Sequence, residues 1–454
     1  MRAVAQDLIA SSEQRVVFGL GVTGLSCARH LYGQGLPFSI VDTRSAPPEL
    51  SVLRREMPEV PVFAGEWPEE LLTGASELIV SPGVALEHPA LAAARAAGVE
   101  VLGDIDLFVR EASAPVVGIT GSNAKSTVTE LVGRMAARAG LDAGVGGNLG
   151  TPALDLLDAA RDLYVLELSS FQLERAGSLG LAVATVLNVS ADHLDRHGSM
   201  PRYHQAKHRI FRGCETAVVH RDDPLTIPPL AEGMRVISWR LGAPDLRDFG
   251  LREVDGEEWI CHGFEPLLPV AEVGITGRHN LANALAALAL GYAAELDMQP
   301  MLSALRDFGG LPHRCQQVAE IAGVRYVNDS KGTNIGATRA ALAGVGGDRD
   351  VVLIAGGQGK GADFGELRDA VSRHCRQVLL LGEDAALIED ALAGCTTLQR
   401  VSDMHAAVSA AAQVAQPGDT VLLSPACASL DMFTGYAARG AAFTAAVRTL
   451  GEQS

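Results

Sequence analysis

The sequence predicts an α/β protein built from open parallel sheets in three successive regions. Three observations carry that prediction. Apolar runs of strand length repeatedly end in a polar or Gly-rich loop that leads into a helical pattern. The first such unit, Arg15 to Gly24, runs into G-x-G-x-x-G at Gly19, Gly21 and Gly24. Another, V-V-G-I-T-G-S-N-A-K-S-T at residues 116–127, reads as strand, tight loop and helix start.

In the first region a helix follows Gly24, and a second strand, Phe38 to Val41, ends at Asp42-Thr43-Arg44. This is a Rossmann-like βαβ start, with glycines for the turn and for phosphate approach and polar residues at the next strand end for a ribose or base. Locally it reads as a dinucleotide site, although any nucleotide diphosphate can use such a turn. Leu78 to Val80 then opens onto Ser81-Pro82-Gly83, and the pattern changes at Gly103-Asp104, the first boundary.

The second region begins with the phosphate loop. Successive backbone N–H groups and the helix N-terminus favour an anion there, with Lys125 reaching the β/γ-phosphates and the Ser126 hydroxyl on Mg²⁺. The strict pattern is not met, because Ile119 and Ala124 stand where Gly is expected. A left-handed backbone at Ala124 would cost about 1–2 kcal/mol, so the loop is expected to keep a negative φ there. Asn148 lies in a Gly-rich turn. Glu167 ends a buried-strand run beside the phosphate loop, where nucleotide enzymes hold Mg²⁺ and where an ion-paired Glu is also common. His193 follows another strand among Asp192, Asp195 and Arg196, a ligand or base candidate. Asn280 stands at the start of an apolar helix.

The third region starts near Gly310. Its strands end in N-D-S-K-G-T-N (328–334), G-G-Q-G-K-G-A-D (356–363) and S-P-A-C-A-S (424–429), which places Asp329, Lys331, Thr333, Lys360 and Ser429 at strand ends, where open sheets bind ligands.

Composition narrows the function. The chain has 454 residues, enough for about two to four domains. A net charge of -17 argues against nucleic acid or an anionic membrane as the main partner. The seven cysteines are scattered, as expected for free thiols in a reducing cytoplasm. No run is apolar enough to predict membrane insertion, and no export signal is recognised. Only four of the 37 basic residues are lysines: Lys125, Lys207, Lys331 and Lys360. Each sits in a small-residue or polar segment, so these are candidates for sites needing a compact ammonium or a deprotonatable amine.

G-I-T-G-S-N-A-K-S-T-V-T, G-V-G-G-N-L-G, L-E-L-S-S-F-Q-L-E, D-H-L-D-R, L-P-H-R, N-D-S-K-G-T-N and S-P-A-C-A-S-L-D-M-F occur in order across nearly the whole chain. Together they resemble the bacterial Mur ligases, and most closely the branch that joins D-glutamate to UDP-N-acetylmuramoyl-L-alanine. The resemblance implies a Rossmann-like N-terminal domain (1–103) for the UDP-substrate, a central P-loop ATPase α/β domain (104–310) and a Rossmann-like C-terminal domain (311–454) for the amino acid. It corrects the dinucleotide reading to a uridine nucleotide sugar. It implies small-molecule substrates, ATP, two Mg²⁺ sites, and a cytoplasmic monomer. Gly121, Ser122, Asn123, Ala124, Lys125, Ser126 and Thr127, with Asn280, Arg314 and Asp329, match ATP contacts. Ser126, Glu167 and His193 match Mg²⁺ ligands, and Lys207 matches a carbamylated lysine at the second Mg²⁺. Lys125, Lys207, His193 and Lys331 are the implied catalytic set. Val22, Thr23, Asp42, Thr43, Arg44, Gly83 and Asn148 match UDP-substrate contacts, and Thr333, Lys360, Ser429 and Tyr436 the D-glutamate pocket. Besides Ala124, Gln358 departs from the family, standing where many relatives have Asp.

Overall fold

A computed structural model describes residues 14–148, 150–229, 233–275 and 277–453. The architecture is α/β with three sheets in chain order, as the repeated strand–loop–helix pattern predicts. The first sheet has five strands, all parallel, in the order Val62–Ala64, Phe38–Asp42, Arg15–Phe18, Glu77–Val80, Glu100–Leu102. Strand order reverses around Arg15–Phe18. The loops after Phe18 and Val80 therefore diverge and leave a crevice at the carboxyl ends of these strands.

The second sheet has nine strands. Val116–Thr120 lies between Leu163–Glu167 and Val183–Val186, so the phosphate loop emerges flanked by the strand ends that carry Glu167 and Asn188. Lys125–Arg138, the helix after the loop, buries Val128, Leu131, Val132, Met135 and Ala136. It packs on Arg278–Ala293 and Met298–Asp307. On the far side the sheet continues into antiparallel strands Phe249–Val254, Glu257–His262 and Glu265–Pro269. Sequence patterning predicts no strands there. Yet Asp255 and Gly256 take φ 51 and 83, the left-handed pair that a two-residue hairpin needs, so an Asp-Gly signal was available.

The third sheet has six strands, in the order Gln316–Ile321, Val324–Asn328, Thr420–Leu423, Val351–Gly356, Cys375–Leu381, Thr397–Arg400. All pairings but the first are parallel.

The three sheets join in different ways. One apolar cluster runs from the first region into the second, gathering Leu25, Leu31 and Ile79 with Phe108 and Tyr164, whose rings meet edge-on at 5.0 Å. Ser26 Oγ donates to Asp155 at 2.6 Å and Arg175 Nη2 to the Val84 carbonyl at 2.8 Å across the same boundary. The third region meets the second mainly through polar side chains around a cavity, described next. Among the described residues no helix is long and apolar enough to cross a membrane.

Candidate active site

The phosphate loop is held open by its own backbone. Gly121 has φ 157, and the helix begins after Ala124, which has φ 67 and ψ -7. This corrects the expected negative φ at Ala124: the turn into the helix needs a left-handed residue, and the chain accepts Ala there despite its Cβ. Ala124→Gly is therefore expected to raise thermal stability by about 0.5–1 kcal/mol, the relieved strain exceeding glycine's larger unfolded-state entropy. Differential scanning calorimetry reads this, and a lower melting temperature would contradict it.

Lys125 Nζ donates to the carbonyls of Gly121 (2.9 Å) and Ser122 (3.2 Å). Burial pulls its pKa down, opposed by Glu167 and Asp192. The Asn123 N–H donates to Asn188 Oδ1 at 2.8 Å, which ties the loop to the neighbouring strand end. Ser122 Oγ meets the Tyr203 hydroxyl at 3.0 Å.

Beside the loop, Glu167 is buried and accepts 2.6 Å from Asn148 Nδ2 on one oxygen. Its other oxygen, Oε2, is buried with no hydrogen-bond partner, an unusual state for a carboxylate. His193 has φ 54, and burial lowers its pKa to about 4, so the imidazole is neutral at pH 7. Lys207 is 1% exposed; its Nζ donates to Gly121 O at 2.8 Å and lies 4.5 Å over the Tyr203 ring. Burial first, and then the Lys125 charge, push its pKa well below the usual lysine value. Among the described residues no three His, Cys, Asp or Glu side chains converge as a metal cluster.

A cavity of about 370 Å³ opens between the phosphate loop and the first loop of the third region. Asn123, Ala124, Thr127, Asn280, Arg314, Asp329 and Lys331 all line it. Arg314 crosses to the central region and donates to Ser126 Oγ at 2.7 Å. Lys331 Nζ sits 3.9 Å over the Tyr436 ring, and burial with Arg314 nearby lowers its pKa to about 8. Burial raises Asp329 to about 6, although Ser424 Oγ donates to it at 2.7 Å. At the other end His220 stacks on Trp239 at 4.1 Å.

Lys360 makes an ion pair with Asp192, and Asn334 Nδ2 donates to the same carboxylate at 3.1 Å. Asn123 and Asn334 exchange amide hydrogen bonds at 3.2 and 3.0 Å. Thr333 lines the small recess shared by Asp192 and Lys360. Ser429 is buried, and its carbonyl accepts from the Phe433 N–H at 2.8 Å in the turn leading to Tyr436. Gln358 Nε2 donates to Glu383 at 2.9 Å, a neutral contact where an Asp would repel.

The crevice of the first sheet is a cavity of about 400 Å³ lined by Val22, Thr23, Asp42, Thr43, Arg44 and Gly83, among others. Asp42 Oδ2 accepts from the Leu20 N–H at 2.7 Å, and Arg44 grips the same carboxylate. Asn148 is not part of this cavity; its amide is spent on Glu167.

Three family models match the chain in succession: Mur ligase MurD-like, N-terminal domain, at residues 13–103; Mur ligase middle domain at 119–291; and Mur ligase, glutamate ligase domain, at 313–427. The chain belongs to the Mur ligase family. This Mur ligase is 57% identical over 446 residues to a UDP-N-acetylmuramoylalanine--D-glutamate ligase of Pseudomonas aeruginosa, covering 98% of this chain and 100% of the relative. The protein of the same name from Marinobacter nauticus is 50% identical, with 98% and 100% covered. In fold the Mur ligase is similar to the UDP-N-acetylmuramate-alanine ligase MurC of Thermotoga maritima (TM-score 0.57, 19% identity, 96% and 99% covered). It is equally similar to the MurF ligase of T. maritima in complex with ADP (TM-score 0.57, 17% identity, 97% and 96% covered).

Several side chains at this Mur ligase's site escaped the sequence reading. Asn188 and Asn334 hold the phosphate loop from two sides, and Asp192 holds Lys360. Asn188 follows a strand end and Asn334 caps the helix Ile335–Val345, local signals that gave no hint of partners far off in sequence. Arg439, 2% exposed, donates to the carbonyls of Ser330, Gly356, Cys427 and Ala428, with no local signal at all.

Proposed function

We propose that this chain joins the terminal carboxylate of UDP-N-acetylmuramoyl-L-alanine to the amine of D-glutamate at the expense of ATP, in peptidoglycan precursor synthesis. One observation carries the reading. The phosphate loop and the Arg314–Lys331 face of the third region meet across one cavity, in a chain that matches D-glutamate ligases end to end.

The chemistry follows from what must be overcome. A carboxylate oxygen is a poor leaving group, so its oxygen attacks the γ-phosphorus and ADP departs, leaving an acyl phosphate. The glutamate amine then attacks the acyl carbon, and phosphate leaves. Two anions meet in the first step, so cations must gather on the transferred group. In this reading residues 121–127 cradle the phosphates, and Lys125 turns from its loop carbonyls to the β/γ oxygens. Arg314 and Lys331 approach from the third region, while Asn280 and Asp329 face the nucleoside end. Domain boundaries at 103/104 and 310/311 let the third region close on ATP while the first holds the uridine part in its own crevice.

The unpartnered Glu167 Oε2 and the neutral His193 ring fit a hard divalent cation beside the phosphates, and the Ser126 hydroxyl, which accepts from Arg314, is the third oxygen or nitrogen donor of this reading. Ser126, Glu167 and His193 would hold one Mg²⁺ and a carbamylated Lys207 would help hold a second, and bound Mg²⁺ would supply charge neutralisation for the phosphoryl group. Asn148 orients Glu167 in this arrangement, touching the UDP-substrate only at its reacting end. The use of ATP and a nucleotide-sugar substrate supports the reading of a cytoplasmic enzyme acting as a monomer.

Thr333, Lys360, Ser429 and Tyr436 form the glutamate pocket in this reading. Lys360→Met is expected to raise the KM for glutamate about 10- to 100-fold, the worth of a charge-assisted hydrogen bond, with the KM for ATP nearly unchanged. Equal rises in both constants would move Lys360 out of the pocket.

The deciding experiment is phosphate release from ATP and Mg²⁺ with UDP-N-acetylmuramoyl-L-alanine, adding D-glutamate, L-glutamate, L-lysine and meso-diaminopimelate separately. Release with a new peptide product only for D-glutamate is the expected result. Release with another acceptor would overturn the pocket assignment, and none at all would overturn the ligase reading.

A further inference from the structure

The helix Met200–His208 carries Lys207 on its buried face and two histidines, His204 and His208, one turn apart on another. Neither histidine enters the reaction described above. Their rings lie 3.9 Å apart, centroid to centroid. Both Nε2 atoms point at the same acceptor, the carbonyl oxygen of Leu225, at 3.1 Å (His204) and 2.8 Å (His208). Two imidazole donors thus take both lone pairs of one carbonyl oxygen. The arrangement presses two ring N–H dipoles together, and each ring could donate elsewhere by turning outward, since both are only partly buried.

Those distances match a coordination sphere. Ligand atoms about 2.1 Å from a metal and at right angles to one another stand about 3 Å apart. The spacing of two histidines four residues apart on a helix is the one that chelates a metal from a single face. We propose that His204 Nε2, His208 Nε2 and the Leu225 carbonyl oxygen form a binding site for one divalent transition-metal ion, its other positions filled by water. To bind, each imidazole shifts its proton from Nε2 to Nδ1 and turns slightly, so that two lone pairs replace two N–H groups. Two imidazole nitrogens select Cu²⁺, Ni²⁺ or Zn²⁺ over Mg²⁺, which prefers an oxygen shell. This is therefore a site of different chemistry from the phosphate-side cation site.

The ion would join two parts of the catalytic region. The helix places Lys207 against Gly121 of the phosphate loop. The segment around Leu225 begins at His220 and Asp223, which line the cavity of about 370 Å³. A metal bridging them pins the outer wall of that cavity to the helix bearing Lys207. It should slow amide exchange at Leu225 and Thr226.

The test is calorimetric titration of the full-length, tag-free protein with Ni²⁺ in the presence of millimolar Mg²⁺, followed by Cu²⁺ electron paramagnetic resonance. One saturable site, tighter for Cu²⁺ than for Ni²⁺ and insensitive to Mg²⁺, is expected, with two nitrogen donors in the Cu²⁺ spectrum. His204→Gln and His208→Gln should each weaken Ni²⁺ binding by about tenfold or more. Their melting temperatures and metal-free ligase rates should stay near the parent's, since both rings are only partly buried and neither touches the reacting groups. Binding unchanged in the double variant, displacement of Ni²⁺ by Mg²⁺, or a spectrum without two nitrogens would overturn the assignment. Should the double variant fold poorly, His204→Gln alone decides, because it leaves the His208–Leu225 contact in place.

Discussion

Lys207→Arg is expected to cut the ligase turnover rate by about a hundred- to a thousandfold, the loss that follows removal of one preorganised charge-stabilising group. The reason lies in the environment of the amine. Lys207 is 1% exposed and shares its surroundings with Lys125, and both effects favour the uncharged form. A neutral primary amine attacks the carbon of CO₂ through its nitrogen lone pair and releases one proton, which leaves a carbamate in place of a cation. The local charge changes sign, and an oxygen pair appears where a cation of the reaction can be held. Arg stays protonated at every accessible pH and cannot follow this path.

Because the amine's pKa is lowered, the neutral form persists at pH values where a free lysine would be almost wholly charged. Carbamylation is therefore expected near neutral pH. In ¹³C-bicarbonate, the parent protein should show one slow-exchanging carbamate carbonyl signal, absent from Lys207→Arg. The larger guanidinium also strains a closed pocket bounded by the Tyr203 ring and Gly121 O. Lys207→Met separates the two effects, since it fits the volume but lacks the amine. Both variants should lose activity, with ATP still bound. Full turnover in either would remove the role proposed for this lysine.

Local chemistry was legible in the sequence where one segment carries it whole. The phosphate loop, the Asp42–Arg44 strand end and Lys125, Lys331 and Lys360 stand in loops at the carboxyl ends of parallel strands, whereas Lys207 reaches Gly121 of the phosphate loop from the helix Met200–His208. What closes that cavity was not legible. Asp192 and Lys360 are 168 positions apart, and Asn123 and Asn334 are 211 apart. Each partner alone is an ordinary polar loop residue, and only the docking of two sheets pairs them. Ala124 misled for the opposite reason. Residue identity argued for a negative φ, whereas the geometry of the loop imposes a positive one, so tertiary constraint overrode local preference. The antiparallel strands between 249 and 269 lie beyond the catalytic loops and carry short, mixed patterns rather than the buried runs of a central strand.

Arg439→Met is expected to destabilise the third region by about 3–5 kcal/mol, the range for removing a buried charged group from its hydrogen-bond partners. Arg439 lies in Tyr436–Gln453, the last helix among the described residues, and is 2% exposed. Nε donates to Ser330 Oγ at 3.0 Å, and Nη2 to the carbonyls of Ser330 (2.8 Å) and Cys427 (3.1 Å). Nη1 reaches Gly356, Cys427 and Ala428. These groups sit at the ends of three neighbouring strands, in the loops that carry Lys331, Lys360 and Ser429. Burial lowers the guanidinium pKa only to about 10, so it remains charged at pH 7 and acts as a fixed multiple donor. Without it, several strand-end carbonyls lose a donor in a space water does not enter, at about 1–3 kcal/mol for each one left unsatisfied. Met fills the volume and supplies none of those bonds. Lys offers one compact donor head that cannot span three loops, so Arg439→Lys should recover little. Because a three-domain chain does not unfold in one step, the measurement is hydrogen exchange at the loop amides, compared with amides of the first sheet as an internal reference. Faster exchange around Ser330, Gly356 and Cys427 with an unchanged first sheet is expected, together with a higher KM for glutamate. Parent-like exchange in those loops would show that the helix docks without Arg439's help.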